Sequence, residues 1–314
     1  MNIVIVGQGA IGLLFYHFIS QTINSNKDSA DSVSLRPSYP ITNKHEPYYF
    51  TDINGLTNIL TLNYANDSKI KSADIILLAV KSYQVKQALM SLTPLISLKT
   101  VIVLCHNGMG TFEQLPKELT KQRLIIAMLT THGCLKNAPL NITHTGLGQV
   151  DFGIIDSHLF QQPSSLMKRD EAIISKLEQV LTPASFHHDI IEKQWLKLSI
   201  NCVINPLTAI YDVDNGSINN EKYKVIVSAA LAEIVLVAKT QGIVLELSML
   251  ISMVHKVAQS TSENSSSMRC DLIGNKPTEI DYINGYIHRL GQINNIKTPT
   301  NSDLWQQISQ RKLT

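Results

Sequence analysis

Cysteine is scarce and scattered: Cys105, Cys134, Cys202 and Cys270 are the only four in 314 residues, and no two form a CxxC pair or a Cys/His ligand spacing. That excludes a disulfide scaffold and a zinc module, leads to no expected metal, and fits reduced thiols in a cytoplasmic setting. Charge is also sparse and balanced, with 17% charged residues and a formal net charge of +2, so a polyanionic partner such as nucleic acid has no footing. Long apolar runs are missing as well. The stretch Val225 to Ala238 falls short of the roughly 20 residues of a membrane span and carries Glu233, so it is expected to be a buried helix. The apolar start of the chain lacks a basic leader and a small-residue cleavage site, and Gly7 interrupts it, so a strand is expected there rather than a signal peptide.

At this length, about twice that of a usual domain, two domains are expected, each with its own core. Residues 2 to 6 (NIVIV) form a β-branched run, followed by GQGAIG at 7 to 12 and a helix-compatible apolar segment from Leu13 to Ile19. Short strand-like runs recur at Ser32 to Leu35, Asp74 to Val80, Val101 to Cys105 and Leu124 to Leu129, with room for crossover helices between them. Unbroken apolar runs such as IILLAV suit a parallel sheet covered on both faces. From Cys134 to Ile155 the segments become extended and polar-interrupted, which predicts an antiparallel extension of the sheet. A surface loop is expected over Asn24 to Ser34, a polar stretch around Gln161 to Ser165, and an amphipathic helix over Asp170 to Leu181. From Asp189 onward the periodicity is helical, broken over 259 to 278 by a loop or a broken helix. The fold class is therefore α/β: an N-terminal Rossmann-type doubly wound sheet over 1–188, then an all-helical C-terminal domain over 189–314.

The hexapeptide Gly7, Gln8, Gly9, Ala10, Ile11, Gly12 fits G-x-G-x-x-G. The first glycine permits the tight turn, the second lets a pyrophosphate approach the backbone, and the third lets helix and strand pack closely. Its placement after an opening strand and before a helix carries the dinucleotide assignment. The cofactor type depends on the residue at the carboxyl end of the second strand, where an acidic side chain would bind a ribose 2′-hydroxyl and a basic one a 2′-phosphate. Asp31 precedes that strand and Arg36 ends it, which selects NADPH/NADP+ over NADH. The alternative is that Arg36 is a solvated surface charge.

In Gln194 to Asn205 (QWLKLSINCVIN), Lys197, Asn201 and Asn205 stand at i, i+4 and i+8, one polar stripe on an otherwise apolar helix. Buried amides or an ammonium without partners would cost several kcal/mol. Either a ligand satisfies the stripe, or it is a solvated face or an internal hydrogen-bond network. Pro206 is expected to end or kink this helix, leaving Asn205 at a helix end beside a break.

KLSINCVINPLTAI (197 to 210) resembles the signature of the ketopantoate reductases, and VKSYQ (80 to 84), HNGMGTFEQL (106 to 115), NSSSM (264 to 268) and PTEIDYINGY (277 to 286) agree in order and spacing. The resemblance runs from Met1 to the last helices. It implies an NADPH-dependent reductase of ketopantoate in pantothenate biosynthesis, with Lys197 as the general acid that protonates the ketone oxygen as hydride arrives. That role suits an ammonium, which both stabilises charge building on oxygen and supplies the proton. The resemblance also makes Glu279 the acidic active-site residue that bonds the substrate hydroxyl and helps position the lysine. Asn201, Asn205, Asn215 and Ser267 become substrate-binding groups, and Lys81 and Asn107, both just past strand ends, contact cofactor and substrate. On local grounds alone Glu279 has another explanation, because Thr278 with Asp281 resembles a capping box and puts Glu279 in a first helical turn, where it would offset the helix dipole. Asn107 before Gly108 and Asn215 before Gly216 are also ordinary turn dipeptides.

Arg269 and Cys270 depart from the uncharged or acidic residues expected at their place, and no second basic residue closely follows Arg36. His187 and His188 cannot chelate from one side of a strand and are expected at the surface, while His106 and His132 are expected to be structural. The expected partner is a small keto acid, with neither nucleic acid nor membrane, for a chain acting as a monomer or homodimer. The competing functions are reduction of another branched 2-keto acid and a non-catalytic NADP-binding sensor. A sensor has no use for a positioned general acid.

Overall fold

The computed structural model describes residues 1–26, 30–37, 45–121, 123–155, 168–181 and 183–311. The chain divides into two units, Met1–His106 with Gln114–Ile190, and Asn107–Glu113 with Ile191–Thr314.

In the first unit the strands are β1 (Asn2–Val6), β2 (Ser32–Arg36), β3 (His45–Thr51), β4 (Thr57–Asn63), β5 (Ile75–Leu78), β6 (Val101–Leu104), β7 (Ile125–Thr130), β8 (Gly133–Ala138), β9 (Asn141–Gly146), β10 (Val150–Ile154) and β11 (Ala184–Phe186). The helices are α1 (Ala10–Ser25), α2 (Asp67–Lys71), α3 (Ser82–Leu92), α4 (Lys117–Thr120) and α5 (Lys168–Val180). Seven strands form the main sheet in the order β11-β10-β7-β6-β5-β1-β2. Its five-strand core β2, β1, β5, β6, β7 is parallel throughout. The residues of β5 and β6 are buried without exception, as strands covered on both faces require. Because β1 lies between β2 and β5, the strand order reverses at its carboxyl end, where open α/β sheets bind ligands.

The segment 134–155 behaves differently from expectation. Only β10 extends the main sheet antiparallel to β7. β8 and β9 instead join the hairpin β3–β4 in a separate four-stranded sheet ordered β4-β3-β9-β8. The cause lies in which faces carry apolar groups: Tyr48, Phe50, Leu62 and Ile142 are buried and belong to the same core as Leu13, Phe15, Tyr16 and Ile19 of α1. The ring of His17 stacks on Phe50 at 3.6 Å, and Tyr16 meets Tyr48 edge-on at 5.6 Å. This explains the unbroken run of buried residues from Gly12 to His17, since α1 is covered by the second sheet as well as by the main one. The loop expected over 24–34 is shortened, with α1 reaching Ser25 and β2 starting at Ser32, and Lys27, Asp28 and Ser29 lie outside the described residues. The polar stretch 161–165 also lies outside them.

The second unit is built from α6 (Ile190–Tyr211), α7 (Lys224–Thr240), α8 (Leu247–Ser260), α9 (Ser267–Ile273), α10 (Asn284–Ile293) and α11 (Pro299–Ser309). Val225 to Ala238 is indeed a helix, and the acid inside it has a purpose. Glu233, only 8% exposed, accepts hydrogen bonds from Thr300 N at 2.7 Å and Asn301 N at 2.9 Å, capping the amino terminus of α11. Pro206 does not end α6, which continues to Tyr211, so Asn205 lies inside the helix rather than at its end. A proline at 206 leaves the carbonyl of Cys202 without its usual donor. The buried amide of Asn284 replaces it, donating from Nδ2 to Cys202 O at 2.9 Å. Among the described residues no helix is long and apolar enough to cross a membrane.

Candidate active site

In the first unit the glycine loop comes directly after β1. Gly7 has φ +120°, and a Cβ there would lie 2.3 Å from Ala79 O, so only glycine fits. A Cβ on Gly12 would lie 2.0 Å from Gly7 O, which shows how closely α1 packs on the loop. Gly9 has the opposite surroundings: nothing comes within 4 Å of its virtual Cβ. It is also the N-cap of α1 and offers no side-chain cap to the first N–H groups of that helix. Open space at Gly9 above uncapped helix N–H groups is what a pyrophosphate needs, so these residues fit a dinucleotide. Ala10 and Ile11 form the first turn of α1. Gln8 is held from two sides, its Nε2 donating to Tyr64 Oη at 3.1 Å and its carbonyl accepting from Lys136 Nζ at 2.7 Å.

Arg36 ends β2 opposite Val6, beside the loop. Its Nη1 is buried and has no hydrogen-bond partner among the described residues. A guanidinium nitrogen withdrawn from water without an acceptor is costly, and a phosphate would remove that cost. Lys81 precedes α3 as its N-cap, its main-chain N–H donating to Gln84 Oε1 at 3.2 Å.

In the second unit, Lys197, Asn201 and Asn205 stand on α6 with fully or nearly buried neighbours Trp195, Leu198, Cys202, Val203 and Ile204. Asn205 is 7% exposed, and no hydrogen bond ties its side-chain amide, or that of Asn201, to the described residues. Cys202, adjacent to this stripe, is no nucleophile: it is fully buried, and burial pushes its thiol well above the usual range.

Asn107 joins this unit rather than the one that contains the strand before it. Gly108 has φ +79°, and a Cβ would meet Tyr282 O at 2.2 Å, so glycine allows the backbone to approach the turn before α10 closely enough for Met109 N to reach Tyr282 O at 2.8 Å. This turn presents Asn107 to Glu279. The carboxylate of Glu279, 4% exposed, accepts from Asn107 N at 3.3 Å and from Asn107 Nδ2 at 3.1 Å. Glu279 is therefore not a first-turn residue of an α-helix; it precedes a single 3-10 turn over Ile280–Tyr282. The capping box is absent too, because the Asp281 carboxylate is taken by Trp305 Nε1 at 2.7 Å.

Asn215 is buried, its Nδ2 donates to Thr261 Oγ1 at 3.0 Å, and its Oδ1 is buried with no partner among the described residues. Its main-chain N–H donates to Asn264 O at 3.0 Å, which brings the NSSSM segment against it. Within that segment Ser266 is the N-cap of α9, accepting from Arg269 N at 3.1 Å, and its Oγ lies 2.7 Å from Thr208 Oγ1 of α6. Ser267 comes next and is exposed. Arg269 has a clear local role: Nε donates to Asp212 Oδ1 at 2.8 Å and Nη1 pairs with Asp214, so a cation clamps the loop that leads into Asn215. Sequence reasoning missed Ser266 and Asn284, and saw Arg269 only as a departure from the expected residues, not as the clamp on Asp212 and Asp214.

His187 is not a free surface residue. Its Nε2 lies 2.6 Å from Asp151 Oδ1. His132 is buried, and its Nδ1 lies 3.1 Å from both Gly148 N and His144 Nε2.

Residues 3–157 match the family described as Ketopantoate reductase PanE/ApbA, and residues 189–312 match its C-terminal counterpart, Ketopantoate reductase PanE/ApbA C terminal. The chain is 34% identical over 312 residues to the 2-dehydropantoate 2-reductase of Vibrio cholerae, covering 98% of this chain and 97% of the relative. It is 30% identical over 312 residues to that of Yersinia pestis, covering 99% and 95%. Among solved structures, D-mandelate dehydrogenase with NADH and anilino(oxo)acetate shares the fold with a TM-score of 0.82 at 22% identity, covering 98% of this chain and 97% of that one. A PanE/ApbA family ketopantoate reductase from Ralstonia eutropha shares it with a TM-score of 0.79 at 19% identity, covering 98% and 97%. With both segments matched and a relative above 30% identity along nearly its whole length, the chain belongs to the ketopantoate reductase family.

Proposed function

We propose that this protein is a 2-dehydropantoate 2-reductase, converting 2-dehydropantoate, NADPH and a proton to (R)-pantoate and NADP+ in a cytoplasmic setting. The observation that carries the reading is the face of α6, where Lys197 shares one stripe with two asparagines whose amides have no partner among the described residues, one of them 7% exposed. Amides on that face that no described residue engages, one half-buried and one buried, suit a small, polar, anionic substrate.

The dinucleotide, when bound, supplies hydride to the C2 ketone. Lys197 stabilises the negative charge that develops on the ketone oxygen and delivers a proton to that oxygen. Asn201 and Asn205 donate or accept along the substrate's polar edge. The unpartnered Oδ1 of Asn215 is an acceptor, which matches a substrate hydroxyl rather than a carboxylate. Glu279 takes the substrate hydroxyl with one lone pair while Asn107 holds its orientation through two hydrogen bonds. On the nucleotide side, Gly7 to Gly12 admit the pyrophosphate, Lys81 and Asn107 contact the cofactor, and Arg36 pairs with the 2′-phosphate through its unsatisfied nitrogen.

Steady-state NADPH oxidation tests this, comparing 2-dehydropantoate with analogues lacking the 4-hydroxyl or the dimethyl branch. A site built to bond a hydroxyl should disfavour the analogue lacking it by orders of magnitude in kcat/KM. Equal rates for all three would assign the chain to a less selective 2-keto acid reductase, and NADPH binding with no turnover of any would point to a sensor.

A further inference from the structure

We infer that Asn284 is a positioning residue for the Lys197 face of α6, standing in for the backbone hydrogen bond that Pro206 deletes; the inference rests on the function proposed above. Proline lacks an N–H and its ring displaces the carbonyl four residues earlier, here that of Cys202. Cys202 lies between Asn201 and Asn205 on the same helix, so the defect falls inside the stretch that sets those two amides relative to each other and to Lys197.

The direction of every hydrogen bond in the replacement is determined. The Glu233 carboxylate and the Ala230 carbonyl only accept, so Asn301 must face them with Nδ2, at 2.7 Å and 3.0 Å. Asn301 Oδ1 is then left as an acceptor, and Asn284 Nδ2 donates to it at 3.0 Å. The second proton of that same nitrogen goes to Cys202 O at 2.9 Å. Asn284 and Asn301 are both completely buried, so no solvent can substitute for either. The relay fastens the interrupted turn of α6 to α10, α11 and α7 at once. Among the described residues the Asn284 side chain hydrogen-bonds to Cys202 and Asn301 and to no group assigned to substrate or cofactor, so its effect on turnover passes through the helix.

The test uses four full-length proteins: wild type, Pro206→Ala, Asn284→Ser and the double variant. Alanine at 206 restores the N–H, so Cys202 O regains an intrahelical donor and the α6 turn no longer depends on Asn284. With Pro206 present, Asn284→Ser is expected to lower kcat/KM for 2-dehydropantoate by about 10-fold or more, as misplacement of reacting groups does. NADPH affinity by equilibrium titration should stay within about 2-fold, since the nucleotide residues of the first unit are untouched. With alanine at 206, the same substitution should cost less than about 3-fold. Equal loss in both backgrounds, no loss in either, or a matching loss of NADPH affinity would overturn the proposal. Urea unfolding followed by tryptophan fluorescence supplies an activity-independent readout, because Trp195 and Trp305 both lie in the second unit. Non-additive midpoint shifts for 206 and 284 are expected, and additive ones overturn the relay even if turnover falls. Should wild type reduce no keto acid, the functional proposal fails while this coupling still decides the relay.

Discussion

Acidification should destabilise the first unit through His17, and the size of the effect can be worked out from its surroundings. The residue is 9% exposed, stacked on Phe50, and its Nδ1 lies 3.1 Å from Tyr48 Oη. Burial, with a smaller contribution from the charge of His144, lowers its pKa from 6.5 to about 4. The unfolded chain therefore takes up a proton below about pH 6.5 that the folded chain refuses until about pH 4, so stability is complete above that window and falls as pH drops through it. At 1.36 kcal/mol per unit, the 1.5 units between pH 6.5 and pH 5 correspond to roughly 2 kcal/mol. His132 and His144 are also lowered by burial and act in the same direction. The assay is urea unfolding by far-ultraviolet circular dichroism at pH 7.5 and pH 5, for wild type and His17→Gln, since the two tryptophans report only on the other unit. Glutamine keeps a polar group for Tyr48 and does not titrate. The stability difference between the two proteins should narrow by roughly 2 kcal/mol at the lower pH. Parallel pH dependences would refute the assignment.

Other substitutions probe the two sites separately. Arg36→Ala should weaken NADPH by at least about tenfold while changing NADH little, as loss of a charge-assisted phosphate contact predicts, and equal losses would remove the 2′-phosphate role. Gly9→Val should leave the melting temperature nearly unchanged but abolish dinucleotide binding in a titration, because its side chain would enter open space. Gly12→Ala should instead lower the melting temperature, since its Cβ would sit 2.0 Å from Gly7 O. Glu279→Gln should raise KM for the keto acid more than it changes NADPH affinity, checked by the same kinetics with nucleotide titration alongside.

Much of this architecture is legible in the sequence where the signal is local. The β-branched opening run, the glycine hexapeptide and the apolar helix after it lie contiguous, and strand, loop and helix appear there. The i, i+4, i+8 stripe on α6 is equally local, and it survives because Pro206 proved compatible with a continuous helix. The features that escaped depend on distant partners. In β4 only Leu62 is buried, so nothing nearby announces that the hairpin pairs with residues 141–146 and covers α1. Residues 107–113 come after a main-sheet strand yet pack with the helical unit, in a close approach to Tyr282 that only a glycine at 108 allows. Asn284 and Asn301 look like ordinary helix-terminal asparagines until Cys202 and Glu233 are placed beside them.

The central claim is that Lys197 supplies the proton for keto acid reduction, and Lys197→Ala tests it most directly, with kcat measured at saturating NADPH and 2-dehydropantoate and NADPH affinity measured by titration. The expected result is a fall in kcat of about 10²- to 10⁴-fold, the usual contribution of a positioned general acid, with NADPH affinity essentially unchanged. A kcat within a few-fold of wild type would contradict it.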